Sequence, residues 1–231
     1  MYTYIVNHIP EAYTQGNSLL SVDWSRAEEG RIAHFPWETS AYQPESRFYV
    51  LYSADSLFCL LLTRGEEERP PRAVETAFQA PVSQDSCLEF FFAYDPEQPN
   101  YFNLETNYNA LTHLGFGPGR GDRWKPSQAE LAGLRIEAVR PGEEALRYLD
   151  FSYDWGVAVE IPERIWQLFW QEETLSKEGG SIPLQSGREF RANFYKCGDR
   201  TASPHYACWS PVLAPQPDYH RPEFFGRLVL E

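Results

Sequence analysis

Two glutamates stand inside runs that otherwise read as buried strands. In DSCLEFFF (85–92), alternation puts Asp85, Cys87, Glu89 and Phe91 on one face, and Ser86, Leu88, Phe90 and Phe92 on the other. In YFNLETN (101–107), Tyr101, Asn103, Glu105 and Asn107 lie opposite Phe102, Leu104 and Thr106. In FRANFYKC (190–197), Arg191, Asn193, Tyr195 and Cys197 alternate with Phe190, Ala192 and Phe194. Each run has one greasy face and one face of hydrogen-bonding side chains. If the three share a sheet, Glu89, Asn103, Glu105, Arg191 and Asn193 form a common polar floor. Mixed donors and acceptors of this kind suit a polyhydroxylated ligand, whose hydroxyls both give and take hydrogen bonds.

Two other chemistries fit the same residues. An antiparallel sheet often keeps one face in water, and Arg191 would then simply neutralise Glu89 or Glu105. Alternatively, Glu89 and Glu105 form the carboxylate pair of a glycoside hydrolase, a reading that depends on the strand register. The remaining candidates are weaker. The glycines of GFGPGRGDR (115–123) lack the strand-to-helix setting of a phosphate loop, so the stretch reads as a connection. The five histidines, at 8, 34, 113, 205 and 220, show no metal-ligand spacing. No cofactor is expected, although loop carboxylates around Asp95 or Asp122 could hold a structural calcium.

The elements that must position these residues are punctuated by turn chemistry: YQPES, EEERPP, YDPEQPN, RPGEE, KEGG and KCGDR. Between the turns, aromatic and β-branched runs predict strands near 2–7, 48–53, 56–63, 72–78, 86–94, 101–107, 109–115, 134–140, 148–160, 189–197, 205–210 and 226–230. Helical signals are confined to a capping-box turn at SQAE (127–130) and a short helix opened by Pro162. Many short strands and little helical periodicity predict an all-β chain: an antiparallel two-sheet β-sandwich, jelly-roll-like, with short helical turns only, forming a single domain over 1–231.

The 231 residues carry a net charge of −13, which argues against nucleic acid or an anionic membrane as partner and favours a neutral or cationic ligand. No apolar run is long enough to span a bilayer. The opening MYTYIVNHIPEAY lacks the basic and apolar regions of a signal peptide, so a cytoplasmic location is expected. Cys59, Cys87, Cys197 and Cys208 form no CxxC pair and are expected as four free, buried thiols.

The order of motifs resembles the family 9 carbohydrate-binding modules, in particular free-standing bacterial proteins similar to them. The resemblance rests on Tyr-Gln-Pro (42–44), PRAV (71–74), QDSCLEFFF (84–92), YFNLETN (101–107) and a G-x-G-R loop. It continues through Ile161-Pro162, RANFYKCG (191–198), WSPV (209–212) and DYHRPEFFGRLVLE (218–231). It implies a non-catalytic β-sandwich that grips a mono- or oligosaccharide between two aromatic side chains over a polar floor, in the setting of carbohydrate catabolism. By position, Glu89 matches a ligand-binding glutamate and Tyr219 one of the sandwiching aromatics. Gln216 falls where an asparagine reaches the sugar, and Asn103 where an arginine does. The second aromatic platform departs from the pattern: Val82 or Ser83 stands where a tryptophan is expected, with Trp37 or Trp209 the nearest substitute. Its loss leaves open a scaffold or interaction protein that keeps the sandwich without a ligand.

Overall fold

Alternating apolar residues pair into strands throughout the computed structural model, which describes residues 1–11, 16–37, 40–94, 99–121, 123–170 and 184–231. The strands are β1 (Thr3–His8), β2 (Gly30–Ile32), β3 (Glu45–Tyr52), β4 (Ser56–Arg64), β5 (Cys87–Ala93) and β6 (Tyr101–Asn107). They continue with β7 (Thr112–Gly117), β8 (Arg135–Val139), β9 (Trp155–Pro162), β10 (Glu189–Cys197), β11 (Tyr206–Cys208) and β12 (Gly226–Leu230). One α-helix, α1 (Glu163–Trp170), follows Pro162. The chain is all-β with short helical turns.

The strand order is β7-β6-β5-β10-β12-β1-β3-β4-β9-β8, with β11 on β10 and β2 on β3. This corrects the expectation of two separate, wholly antiparallel sheets. The path is continuous, because β1 pairs in parallel with β12 through Thr3–Val6 and in parallel with β3 through Asn7 and His8. One sheet curls on itself, and its two halves face each other across a shared aromatic core. Phe48 of β3 stacks on Phe194 of β10 at 3.7 Å between centroids, and Phe194 stacks in turn on Phe90 of β5 at 4.8 Å. Each phenylalanine so buried contributes about 1.5–3 kcal/mol.

Both outer faces are also covered. On β4 and β9, Phe58, Leu60, Leu62 and Ala158 pack beneath Leu19, Leu20, Trp24, Leu146 and Phe151. On β5, β6 and β10, Cys87, Phe91, Tyr101, Tyr195 and Cys197 pack beneath Trp37, Val82, Val212, Tyr219 and Phe225. The second cover is a roof made largely from the segment between β11 and β12.

One predicted strand is absent and another is shortened, each for a local reason. Residues 72–78 form no strand. Their backbone is held by a side chain instead, with Val74 N and Glu75 N donating to the two carboxylate oxygens of buried Asp85 at 2.9 and 3.0 Å. The strand expected from 148 begins only at Trp155, after Asp154 has accepted hydrogen bonds from Gly65 N and Glu66 N. At SQAE the capping box forms, Ser127 N and Oγ donating to Glu130 at 2.7 Å, but it closes a turn and not a helix.

Candidate functional site: a roofed polar floor

Register decides what the floor brings together. Glu89 lies directly opposite Glu105 on β6 and Tyr195 on β10, and Phe91 lies opposite Asn103 and Asn193. Glu89, Asn103, Glu105 and Asn193 therefore share one sheet face, as alternation predicts. That face is not a wet one: Glu89 is 2% exposed and Glu105 8%.

A cavity of about 130 Å³ opens between floor and roof. Glu89, Glu105, Phe91 and Cys197 line it from the strands; Ser83, Arg120, Asp199 and Tyr206 line its sides; Asp218, Tyr219 and His220 close it above. Glu89 Oε1 accepts a hydrogen bond from the Cys197 thiol at 2.9 Å. Glu105 Oε1 accepts from Asn103 Nδ2 at 2.6 Å. Burial, then the proximity of Glu105, pushes Glu89 well above the ordinary carboxylate range; burial raises Glu105 as well. Each carboxyl therefore keeps its proton to a higher pH than a free one.

Asn103 is fixed from behind. Its Oδ1 accepts from Arg123 Nε at 2.8 Å, while the other Arg123 donors reach the carbonyls of Tyr101, Gly115, Gly117 and Gly119. A Cβ at Gly115 would stand 3.0 Å from Asn103 Oδ1 and 3.2 Å from Arg123 Nε, so a larger residue there would press on this pair. Overhead, Tyr219 is 8% exposed and stacks on Tyr195 at 3.9 Å. Its hydroxyl reaches the carbonyls of Ala207 (3.0 Å) and Lys196 (3.3 Å). It is an anchored part of the roof and not a surface ring. His220 shares a 2.9 Å hydrogen bond with Tyr101; burial and the nearby arginines lower its pKa to about 3, so the ring is neutral.

The other expected site residues lie elsewhere. Asn193 is fully buried and committed: its Nδ2 donates to Ser210 O, and its Oδ1 accepts from Ser210 N and Phe194 N. Arg191 donates to the carbonyls of Glu223 and Phe225 and forms no ion pair with either floor glutamate. Both residues latch the roof to β10. Gln216 is exposed and lies outside the cavity lining. Of the tryptophans offered as a second platform, Trp37 donates Nε1 to Ala214 O and props the roof segment, and Trp209 packs into the inner core against Phe48. Among the described residues, no tryptophan lines the cavity.

Arg120, Asp199, Asp218 and His220 escape sequence reasoning because loops deliver them, and Tyr206 because it opens the three-residue strand β11; neither a loop nor so short a strand carries a period to read. The one usable signal was adjacency: Asp218 and His220 flank Tyr219, and Asp199 follows Cys197 by two residues.

As for metals, Cys87 Sγ, Glu89 and Cys197 Sγ lie within 4.8 Å of one another. Thiolates of this kind suit a soft cation. Burial pushes Cys87 up to about 12, and the Cys87 contact together with burial raises Cys197, so both stay protonated at neutral pH. The calcium expectation at Asp95 and Asp122 falls outside the described residues. All four cysteines are free and buried. No helix is long and apolar enough to cross a membrane.

The model of carbohydrate-binding family 9 matches residues 17–230. The chain belongs to that family. Its fold is similar to that of a proposed carbohydrate-binding protein from Bacteroides uniformis, with a TM-score of 0.77 and 23% identity over 99% of both chains. It is also similar to a family 9 module from Caldicellulosiruptor kristjanssonii, solved with glucose (TM-score 0.61, 11% identity, 100% of this chain and 96% of that one). The same module with cellotriose gives a TM-score of 0.60 at 11% identity, over 100% of this chain and 94% of that one. No curated protein matches the sequence.

Within this family 9 chain, the Asp-Ser pair that opens DSCLEFFF is largely structural. Asp85 carries the backbone of 74–75 and also accepts from Asn107 Nδ2 at 3.0 Å. Ser86 donates to Glu66 at 2.6 Å. The Asp-Ser pair fixes the start of β5, and Glu89 follows at the distance that places it on the floor.

Proposed function

We propose that this family 9 chain binds a single sugar or the end of a sugar chain, without cleaving it, in the cavity above Glu89 and Glu105. The observation that carries the reading is the roofed cavity, floored by two carboxylates whose hydrogen-bonding capacity the protein leaves partly unused. Sugar hydroxyls are the donors such acceptors lack. The sugars bound by the Caldicellulosiruptor module support the same ligand class. A space of about 130 Å³ is smaller than a drug-sized pocket, which favours one terminal unit over an extended stretch.

Hydrolysis is disfavoured by the same geometry. Glycosidases place their two carboxyl groups on either side of the scissile bond. Glu89 and Glu105 are cross-strand neighbours on one floor and meet a ligand from the same side.

Titration of the protein with glucose, cellobiose and a broader sugar panel, by calorimetry or by NMR, tests the proposal. Affinity on the order of micromolar to millimolar is expected, because no tryptophan clamps the ligand and the buried floor must be desolvated. Absence of binding across the panel sinks it. So does turnover that Glu89→Gln abolishes.

A further inference from the structure

We propose that the cavity prefers a sugar carrying a free ammonium group, an amino sugar, over its neutral counterpart, because its lining holds more carboxylates than cations and leaves two of their oxygens without a donor. This rests on the sugar-binding reading above and narrows its ligand class.

Among the described residues, Glu89, Glu105, Asp199 and Asp218 line the cavity against a single lining cation, Arg120. Arg120 is already engaged, with Nη2 at 3.0 Å and Nε at 3.2 Å from Asp218 Oδ1. The other nearby guanidinium, Arg123, spends every donor on four carbonyls and Asn103 and stays behind the floor. His220 is neutral and supplies no charge to the floor, whereas His113 on β7, directly opposite Glu105, turns Nδ1 to Gln79 O at 3.0 Å and only partly offsets the rise that burial imposes on the Glu105 carboxyl. From β5 and β10 the floor pair meets only the thiols of Cys87 and Cys197 and the ring of Tyr195. Among the described residues, Glu89 Oε2 and Glu105 Oε2 receive no hydrogen bond; each residue's protein donor goes to Oε1.

A neutral sugar would supply hydroxyl donors to those oxygens but leave their charge uncompensated. An ammonium group brings three donors and the missing charge together. Phe91, Tyr206 and Tyr219 line the same cavity, and aromatic faces attract cations. An incoming ammonium also removes the reason for the two glutamates to hold a proton, so binding releases it.

Calorimetric titration with glucosamine, glucose, N-acetylglucosamine and ethanolamine tests this, at about pH 6.5, where a primary amine keeps its proton. Glucosamine is expected to bind at least tenfold tighter than glucose and N-acetylglucosamine. Its apparent enthalpy should also change with the ionisation enthalpy of the buffer, reporting the released proton. Glu105→Gln, with Asp199→Asn as a second variant and thermal melting to confirm folding, should reduce the ratio of glucosamine to glucose affinity, whatever either change does to the affinity for each sugar alone; an unchanged ratio in both folded variants overturns the proposal. Glucose binding as tightly as glucosamine overturns the preference and leaves the sugar reading standing. Ethanolamine matching glucosamine overturns it too, since the site would then read only charge. If none of the sugars binds, both readings fall together.

Discussion

Glu89 is held where a carboxylate is least comfortable: buried, beside Glu105, with one thiol donor. Its raised pKa has a sign that can be followed. At a pH between the ordinary value of 4.5 and the folded one, the native state keeps a proton that the unfolded chain has released. Stability therefore falls as pH rises through that window. Glu89→Gln removes the loss and is expected to stabilise the ligand-free protein at pH 7 by roughly 1–3 kcal/mol. For a chain of this size each such kcal/mol is worth about 2–4 °C in melting temperature. The gain should vanish as pH approaches 4.5. A variant that melts below wild type at pH 7 would show that the carboxylate has a donor it needs. Tyr219 gives the opposite result. As a buried ring stacked on Tyr195, its loss in Tyr219→Ala should cost about 3–5 kcal/mol, whereas Tyr219→Phe should cost only about 1 kcal/mol; urea denaturation separates the two. Alternation alone made Glu89 and Glu105 legible as floor residues. It could not say that Tyr219 would be turned inward, because a tyrosine in a proline-rich loop reads the same on the surface as beneath it.

At the scale of elements, the strands were legible wherever two neighbouring backbones supply the hydrogen bonds, as in β5, β6 and β10. They were not where a side chain takes that part, as Asp85 does for 74–75. Period-two patterning also cannot distinguish a wet polar face from a roofed one. Arg191 and Asn193 are polar for the sake of a partner, but that partner is the backbone of Ser210, Glu223 and Phe225 and not a ligand. Asn193→Ala would strip the donor and acceptor from Ser210 in a buried site, costing about 1–3 kcal/mol for each group left unsatisfied. Hydrogen exchange should then quicken in 210–225 ahead of β5 and β6. Equal protection of the roof in wild type and variant would show that Asn193 is not its latch.

Across the whole molecule, the conspicuous investment is ionic and buried. Lys196 Nζ lies 3.3 Å from Glu66 Oε1 and bonds Ser86 Oγ and His205 Nε2 at 3.0 and 2.8 Å. Burial would raise Glu66, but the Lys196 ammonium and the donors Ser86 and Trp155 outweigh it and hold the carboxyl below its usual range. Glu66 therefore contributes stability that is present above its unfolded pKa and lost as pH falls through the lower folded one. Lys196→Met leaves Glu66 buried and unpaired, and should cost about 3–5 kcal/mol in chemical denaturation. His205, lowered to about 3 by burial and Lys196, stays neutral while the unfolded chain protonates near 6.5, which removes stability as pH falls between those values. The imidazole NMR signals of His205 and His220 are accordingly expected to stay fixed from pH 8 to 5. A titration of either within that range would show that its ring is less buried than the fold has it.

The pairing of β1 with β12 also sets the order of events at the ribosome. Thr3 lies beside Arg227, so β1 cannot be paired along this edge until the chain has been extended to Arg227. At cellular rates of about 5–20 residues per second, that leaves an interval of roughly 10–45 s. Throughout it, the edge of β1 that β12 will cover stays open, and such an edge is a template for pairing with other chains. Slow synthesis prolongs that exposure, and a nascent chain stalled short of residue 227 holds the two halves of its sheet without the strand that joins them.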